Sequence, residues 1–309
     1  MKVVKSLKDA GEIPKLCIAL GNFDGLHLGH QQLISGVVNE ANKINGTSAV
    51  LTFFPHPAKV ISPEKVTRYL INDERKLNLL KQYGIKLVIQ LPFTQEFADI
   101  QAEAFIKELN EAIQLAHLVI GFNYTFGRGG AGDWRLLEKL SKEYKFSLQV
   151  IPPVIVNDIL ISSTAIRTAL LEGNISVASQ LLGRPPLIEG EVESGNKFGR
   201  KLGFPTANIK LVDNILLPKR GVYLARVVQD NCQYFGLLNI GLRPTLTNTL
   251  SPVAEVHILK FDNNIYGQWL EVYLLEKLRD EKKFANPDQL VNQIKIDISS
   301  AWEIIAQKY

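Results

Sequence analysis

A ten-residue loop at residues 21–30 constrains this chain more than any other stretch, because the apolar run Leu16–Leu20 leads into it and a helical pattern follows it. Five apolar residues bounded by glycine are typical of a buried strand. The loop contains three glycines, Gly21, Gly25 and Gly29. His27 and His30 lie three residues apart and share one face of the helix start, with room for a ligand at the glycine between them. This arrangement predicts a polyphosphate site in which both imidazoles stabilise developing negative charge.

The first half of the chain alternates short apolar runs with helical patterns up to about residue 154. The predicted strands are 16–20, 49–53, 87–91, 118–121 and 148–154, and the predicted helices between them include 73–83, 99–110 and 133–144. Alternating strands and helices predict an α/β domain with a doubly wound, Rossmann-like parallel sheet. Ligands bind such sheets beyond the carboxyl ends of the strands, which is where the 21–30 loop lies.

Three further segments follow predicted strands and bring polar residues to the same edge. They are Pro-His-Pro at 55–57, a glycine-rich segment at 121–133 and Ser-Ser-Thr-Ala-Ile-Arg at 162–167. Taken alone, they are also explained as a rigid turn, a mobile surface loop and an ordinary helix cap. As functional elements, the glycine-rich segment would close over a nucleotide, and the helix start at 162–167 would bind a second phosphate group.

The pattern changes after Leu182, where Gly183-Arg184-Pro185-Pro186 cannot continue a helix. We therefore predict two domains, 1–182 and 183–309. Short strands at 188–193, 221–229, 234–240, 253–261 and 269–275 predict a small antiparallel barrel. A helix capped by Asn286 closes the chain. We expect its apolar stripe to pack on the barrel rather than to bind a ligand; the stripe consists of Leu290, Ile294, Ile298, Trp302 and Ile305.

Two stretches of the second half carry chemistry. Thr206 and Asn208 alternate on an extended segment, so both oxygens face one side and suit Mg²⁺. The surrounding sequence at 199–208 is also compatible with a plain barrel-edge loop. Glu255 lies in an alternating strand, and composition alone favours a solvent-facing residue over an inward-facing base.

Several motifs together point to one family. The pattern Gly-Asn-Phe-Asp-Gly-x-His-x-Gly-His at 21–30 resembles the signature of the HxGH nucleotidylyltransferases. Pro-Thr-Ala-Asn at 205–208, Gly-x-Arg-Pro-Thr at 241–245 and Glu-Val-His at 255–257 are similar to the motifs of riboflavin kinases. Over nearly its whole length the chain resembles the prokaryotic bifunctional riboflavin kinases/FMN adenylyltransferases, or FAD synthetases. The resemblance implies that the second domain phosphorylates riboflavin to FMN and the first adenylylates FMN to FAD, each with ATP and Mg²⁺.

The resemblance also implies roles for individual residues. The catalytic residues would be His27, His30 and Glu255. Nucleotide binding would involve Gly21, Asn22, Phe23, Asp24, Gly25, Gly29, Ser162, Ser163, Thr164, Arg167, Gly199, Gly203 and Pro205. The flavin would contact His56, Asn123, Arg128 and Arg279, and the metal ligands would be Thr206 and Asn208. The chain departs from the family pattern at Phe54, Gly130, Pro186 and Ser194.

Composition narrows the remaining alternatives. The 35 basic and 31 acidic residues leave a net charge of +4, which suits nucleotides but is too small to indicate nucleic acid. Only two cysteines occur and no apolar run reaches the ~18 residues of a membrane span, so we expect a cytoplasmic protein without a membrane partner. Self-association is left open. Two other functions stay possible at this point: an HxGH transferase acting on another phosphate, such as a pantetheine phosphate, and an inactive flavin- or nucleotide-binding module.

Overall fold

A computed structural model of the chain describes residues 1–11, 13–63, 68–194, 198–244 and 250–309. It divides into two compact units, Met1–Ser163 and Thr164–Tyr309.

The first unit is built on a six-stranded parallel sheet with the order β1-β4-β3-β2-β5-β6. The strands are β1 Lys2–Val4, β2 Leu16–Leu20, β3 Thr47–Phe54, β4 Leu87–Pro92, β5 Leu115–Gly121 and β6 Ser147–Ile151. The helices are α1 Leu28–Lys43, α2 Pro57–Ile61, α3 Asp73–Gln82, α4 Gln95–Ala98, α5 Ala102–Ala112 and α6 Trp134–Tyr144. A hairpin follows, formed by β7 Ile155–Val156 and β8 Ile159–Leu160. The predicted parallel sheet is confirmed, and β1 is an edge strand too short to recognise in the sequence.

Strand β2 shows why the sheet has a core on both faces. Its residues alternate between two hydrophobic clusters: Leu16 and Ile18 belong to one, and Cys17 and Ala19 to the other. All of them are fully buried. A strand buried on both faces has a continuous apolar sequence, so the sequence 16–20 predicts this central position.

Helix boundaries follow local signals, with one difference from the prediction. Asn72 caps α3 by accepting a hydrogen bond from the Arg75 amide at 2.6 Å, and Gly84 takes a left-handed φ of 89° just beyond the helix. The helix expected at 99–110 begins three residues later, as α5 at Ala102, and the short helix α4 before it was not predicted. Gln101, the N-cap of α5, has extended backbone angles (φ −64°, ψ 149°), so the helix cannot begin before it.

The second unit contains a closed six-stranded barrel with the order β10-β13-β12-β11-β14-β9. Its strands are β9 Leu187–Glu193, β10 Ala207–Ile209, β11 Gly221–Gln229, β12 Cys232–Pro244, β13 Leu250–Ile258 and β14 Trp269–Asp280. The helices of this part of the chain are α7 Ser163–Glu172, α8 Ile175–Leu182, α9 Phe198–Lys201 and α10 Pro287–Lys308. The barrel and its closing helix are confirmed, including the Asn286 cap, which accepts from the Gln289 amide at 3.0 Å. Helix α8 packs against β14, and the domain boundary predicted after Leu182 stays a prediction.

The two faces of the barrel wall have different partners. Tyr223, Leu238 and Val256 are cross-strand partners and fully buried, so their face forms the barrel interior. At alternate positions, Val222 and Leu237 pack instead against α10. The face that contains these alternate positions is therefore the outer face of the barrel, beneath the closing helix.

Cys17 and Cys232 form no disulfide. Within the described ranges no helix combines the length and apolar character needed to cross a membrane.

Candidate active sites

The 21–30 loop leaves the sheet at the point where the strand order reverses. Strand β2 lies between β3 and β5, and both neighbours are parallel to it. Open parallel sheets bind their ligands at such a position. The loop passes directly into α1, and the N-terminus of a helix favours an anion.

The two histidines form a stacked pair at the start of α1. Their ring centroids are 3.6 Å apart and the planes differ by 14°. His27 is the N-cap, and its Nδ1 accepts a hydrogen bond from the His30 amide at 3.3 Å. Because a nitrogen that accepts carries no proton, the neutral His27 ring has its hydrogen on Nε2, where it can be donated to a ligand oxygen. Gly29 relieves crowding in this stacked arrangement, since a Cβ there would lie 3.2 Å from the His27 ring. Room for a ligand is therefore not the only reason for this glycine.

Side-chain hydrogen bonds hold the loop in place from three directions. Asp24 is buried and its Oδ1 accepts from the Leu70 amide at 2.9 Å. The Asp24 carbonyl accepts from the Ser163 hydroxyl at 3.0 Å, and the Asn22 carbonyl from the Thr52 hydroxyl at 3.3 Å. Two residues predicted to bind nucleotide, Asp24 and Ser163, thus have structural partners within the first unit.

The same loop contains two strained residues. Phe23 and Leu26 have φ values of 53° and 44°, and both side chains are fully buried. Apolar side chains rarely adopt this left-handed conformation, which costs on the order of 1–3 kcal/mol per residue. Buried packing of the two side chains and the hydrogen bonds to Asp24 offset this cost and fix the backbone between β2 and α1.

The flavin contacts predicted for the first unit lie after β3 and β5. His56 caps α2 by accepting from the Ala58 amide at 3.2 Å, which supports the simpler interpretation of Pro-His-Pro as a rigid turn. Asn123 is exposed in the turn after β5. Arg128 is also exposed, with its Nε 3.9 Å from the Asp99 carboxylate. Sequence reasoning gave no role to Phe54, whose side chain is 53% exposed at the end of β3.

The glycine-rich segment differs from the mobile loop that its composition predicts. Phe126 and Gly132 exchange two backbone hydrogen bonds, of 3.1 and 2.9 Å, and the Phe126 ring is buried. A Cβ at Gly127 or Gly132 would lie within 2.7 Å of Ala102 in α5. These two glycines therefore allow the segment to pack closely on a helix. Composition could not reveal this, because close packing and flexibility both select glycine.

The remaining predicted nucleotide contacts lie around the start of α7. Ser162 precedes the helix, and Thr164 and Arg167 lie in its first two turns, where they are counted with the second unit. Their grouping with the two histidines stays a prediction.

In the second unit, one row of cross-strand partners passes across five strands. Asn208 of β10 is opposite Glu255 of β13, and Glu255 is opposite Asn239 of β12. The row continues from Asn239 to Val222 and then to Arg279 of β14. Cross-strand partners share a face. Because Val222 packs against α10, the whole row lies on the outer face of the barrel.

A cavity of about 470 Å³ lies over this row. Its wall includes the row and Thr206 on the barrel side, and Leu290, Ile294 and Asp297 of α10 on the other. Glu255 is therefore neither a solvent-facing residue nor a residue of the barrel interior. The predicted packing of the α10 stripe on the barrel is confirmed for Ile298 and Ile305, whereas Leu290 and Ile294 line the cavity.

The segment before β10 is held by backbone and side-chain contacts. The Phe204 amide donates to the Gly199 carbonyl at 2.9 Å, and a Cβ at Gly199 would lie 2.5 Å from the Phe204 oxygen. Gly203 takes a left-handed φ of 87°. His257 Nδ1 is 2.8 Å from the Pro205 carbonyl oxygen. A second, smaller cavity of about 80 Å³ is lined by Thr206 as well, so this residue borders both cavities.

Arg279 joins the barrel to α10. Its Nε and Nη2 donate to the Asp297 carboxylate at 2.8–3.0 Å, and Gln293 donates to the same carboxylate at 2.9 Å. Asp297 is only 5% exposed. A buried carboxylate needs such partners, because an unpaired one loses its hydration without compensation.

Comparison with known proteins identifies the family to which this chain belongs. Residues 10–165 match the family model described as FAD synthetase, and residues 182–305 match the one described as riboflavin kinase. A bifunctional riboflavin kinase/FMN adenylyltransferase of Buchnera aphidicola subsp. Acyrthosiphon pisum is 36% identical over 317 residues, covering 100% of this chain and 98% of the relative. The Escherichia coli (strain K12) protein of the same name is 34% identical over 307 residues, covering 98% and 97%. The chain belongs to the bifunctional riboflavin kinase/FMN adenylyltransferase family.

A solved structure agrees in fold. The crystal structure titled as a macrolide-efflux protein from Streptococcus pneumoniae has a TM-score of 0.89 and 34% sequence identity, and the match covers 97% of each chain. Macrolide efflux is part of the name of that protein and is not assigned to the present chain. Both family models matched by the present chain describe enzymes of flavin nucleotide synthesis.

With the family established, the missed residues can be named. Asn239, His257 and Asp297 line the larger cavity of the second unit but had no predicted role. In the sequence, the signal for the first two of these residues was their place at the motifs: Asn239 lies two residues before Gly-x-Arg-Pro-Thr, and His257 is the last residue of Glu-Val-His. Asp297 had none, because it lies within an amphipathic helix. Thr245 of the Gly-x-Arg-Pro-Thr motif lies outside the described residues.

Proposed function

We propose that this chain converts riboflavin to FAD in two ATP-dependent steps at two separate sites. Riboflavin is phosphorylated to FMN in the cavity of the second unit, and FMN is adenylylated at the 21–30 loop of the first. Membership of the bifunctional family supports both activities. The observation that carries the residue assignment is the register that aligns Asn208, Glu255 and Asn239 on one cavity wall.

In the kinase reaction, Glu255 acts as the general base. It takes the proton of the terminal ribityl hydroxyl while that oxygen bonds to the γ-phosphorus of ATP. The bond between the γ-phosphorus and the bridging oxygen breaks, and ADP leaves. A cavity of about 470 Å³ is large enough for a flavin. Arg279 at its far side is the proposed flavin contact, with Asp297 fixing its orientation.

The residues at the start of β10 fit Mg²⁺. Thr206 and Asn208 offer a hydroxyl and an amide oxygen, the hard ligands that Mg²⁺ prefers. No group of three or more His, Cys, Asp or Glu side chains that could hold a metal occurs among the described residues. The ion would therefore be held by these two oxygens together with nucleotide phosphates. When bound, it neutralises charge on the phosphate oxygens.

In the adenylyl transfer, the two histidines stabilise the transition state. A phosphate oxygen of FMN attacks the α-phosphorus of ATP, the bond to the α–β bridging oxygen breaks, and pyrophosphate leaves. The proposed donors to the phosphate oxygens are His27 Nε2–H, whose Nδ1 accepts from the His30 amide, and the backbone amides of Leu28 and Gly29 at the start of α1. The proposed contacts to the leaving group are Ser162, Thr164 and Arg167, with Ser163 holding the loop at Asp24.

Two alternatives explain less. A transferase acting on another phosphorylated substrate would leave the row at Glu255 without a role. An inactive binding module would not need His27, His30 and Glu255 together.

Incubating the purified protein with riboflavin, ATP and Mg²⁺ and separating the flavins by chromatography tests the proposal. We expect FMN first and then FAD. If neither FMN nor FAD forms, both assignments are contradicted. If FMN forms without FAD, the function is restricted to the second unit and the departures at Phe54 and Gly130 are implicated.

A further inference from the structure

His257 lies two residues after the proposed base Glu255 and lines the same cavity. Residues two apart on a strand face the same side. His257 is opposite Leu237, which packs beneath α10, so its side chain also belongs to the outer face of the barrel. The family resemblance assigned this residue no task, and the reaction proposed above does not use it.

The contact between His257 and Pro205 shows which atom of the imidazole ring is a hydrogen-bond donor. Nδ1 lies 2.8 Å from the Pro205 carbonyl oxygen. A carbonyl oxygen can only accept, so Nδ1 is the donor and carries a hydrogen. The ring also meets Phe204 edge to face, with centroids 5.8 Å apart. His257 therefore holds two consecutive residues of the segment that leads into β10.

Pro205 limits the hydrogen bonds that can hold the segment before β10 in place. Proline has no backbone N–H, so its carbonyl is the only backbone group through which it can be fixed. On one side of Thr206 is this carbonyl, held by His257. On the other side is Ala207, paired with Val256 in the β10–β13 ladder. Thr206 is thus fixed between two neighbours that are both attached to β13, the strand of Glu255.

We propose that His257 is a positioning residue for riboflavin phosphorylation. Its Nδ1–H holds the Pro205 carbonyl and thereby keeps the Thr206 hydroxyl in place for the metal–nucleotide complex. This inference rests on the proposed kinase function. It predicts that loss of the Nδ1 donor weakens the interaction with MgATP and leaves riboflavin binding nearly unchanged.

Three substitutions at His257 distinguish the effect of the Nδ1–H donor from the effect of the imidazole ring. His257→Leu removes the donor. His257→Asn places an amide N–H near the position of Nδ1, whereas His257→Gln places it near that of Nε2. For His257→Leu we expect the KM for MgATP to rise about five- to tenfold, the size of one lost hydrogen bond, with less than a twofold change for riboflavin. His257→Asn should restore most of the difference and His257→Gln little of it.

Calorimetric titration with MgADP provides a readout independent of turnover, and we expect the same order of affinities. Thermal unfolding of each variant checks that the barrel is intact; if His257→Leu does not fold, the contrast between His257→Asn and His257→Gln still decides. Equal MgADP affinity in wild type and all folded variants would overturn the positioning role. A wild type that makes no FMN would instead contradict the proposed function itself.

Discussion

In the first unit, ten consecutive residues supply both histidines of the candidate site, and their contact is one within a single helix turn. In the second unit, each residue of the row of cross-strand partners that contains Glu255 comes from a different strand, and α10 closes the cavity from the opposite side. The first site depends on local backbone conformation. The second depends on register, because a shift by one residue would turn Glu255 toward the barrel interior. Substitutions should therefore act differently on the two sites.

The largest expected effect comes from a substitution at the second site that reduces one of the two reactions and spares the other. Glu255→Gln keeps the size of the side chain but removes the proposed base. We expect riboflavin phosphorylation to fall about 10²–10⁴-fold, while supplied FMN is still converted to FAD. Chromatography of the flavin products measures both. Loss of both reactions in a folded variant would show that the two sites are not independent.

The reciprocal substitution is made in the loop. His30→Ala removes a ring that stacks on His27, and we expect adenylyl transfer to fall about 10²–10³-fold, the usual cost of one transition-state donor. FMN should accumulate without FAD. Unchanged FAD formation would remove His30 from the site and restrict the charge-stabilising role to His27.

The ion pair under α10 tests how strongly the second site depends on tertiary contacts. Asp297→Ala leaves Arg279 partly buried without its carboxylate partner, so we expect a loss of about 3 kcal/mol in the free energy of unfolding. The double variant Arg279→Met/Asp297→Leu replaces both charges and should recover most of that stability. If Arg279 contacts the flavin, the recovered protein still shows a raised KM for riboflavin. A normal KM would make Arg279 structural only.

Asp24 tests whether the loop carboxylate serves the loop or a ligand. Asp24→Ala removes the acceptor of the Leu70 amide and should cost about 1–2 kcal/mol of stability. Asp24→Asn retains an acceptor oxygen, so a structural residue predicts adenylyl transfer near the wild-type rate. A large loss of rate in Asp24→Asn, with stability unchanged, would indicate a direct role with metal or nucleotide.

The smallest expected effect is on the pH dependence of stability and comes from His117 in β5 of the parallel sheet. Burial lowers the pKa of His117 below its ordinary value of 6.5, so the unfolded chain binds a proton more readily than the folded one. The stability that this group contributes is complete above pH 6.5 and is lost as the pH falls below it. Denaturant unfolding of wild type and His117→Gln between pH 5 and 8 should show a weaker pH dependence in the variant. Identical curves would exclude His117 as a contributor.

Much of the fold and the sites could be predicted, for identifiable reasons. Strand β2 and the cap at Asn286 follow from hydrophobic period and capping chemistry, which act over a few residues. Asp24 and Ser163 were predicted to bind nucleotide, but their contacts with Leu70 and with each other were not predicted. Those contacts join positions 46 and 139 residues apart, and no local pattern encodes them.

The parallel sheet, five of the six barrel strands and the motifs at 21–30, 205–208 and 255–257 can be predicted from the amino-acid sequence, because each depends on residue spacing over short distances. The direction that Glu255 faces depends instead on tertiary contacts, since composition favours solvent whereas the strand register directs the side chain into a cavity. Tertiary contacts also place the start of α10 against that cavity and bring His257 to Pro205, 52 residues away. These features depend on strand pairing and helix docking, whose free energies come from the whole fold rather than from neighbours in sequence.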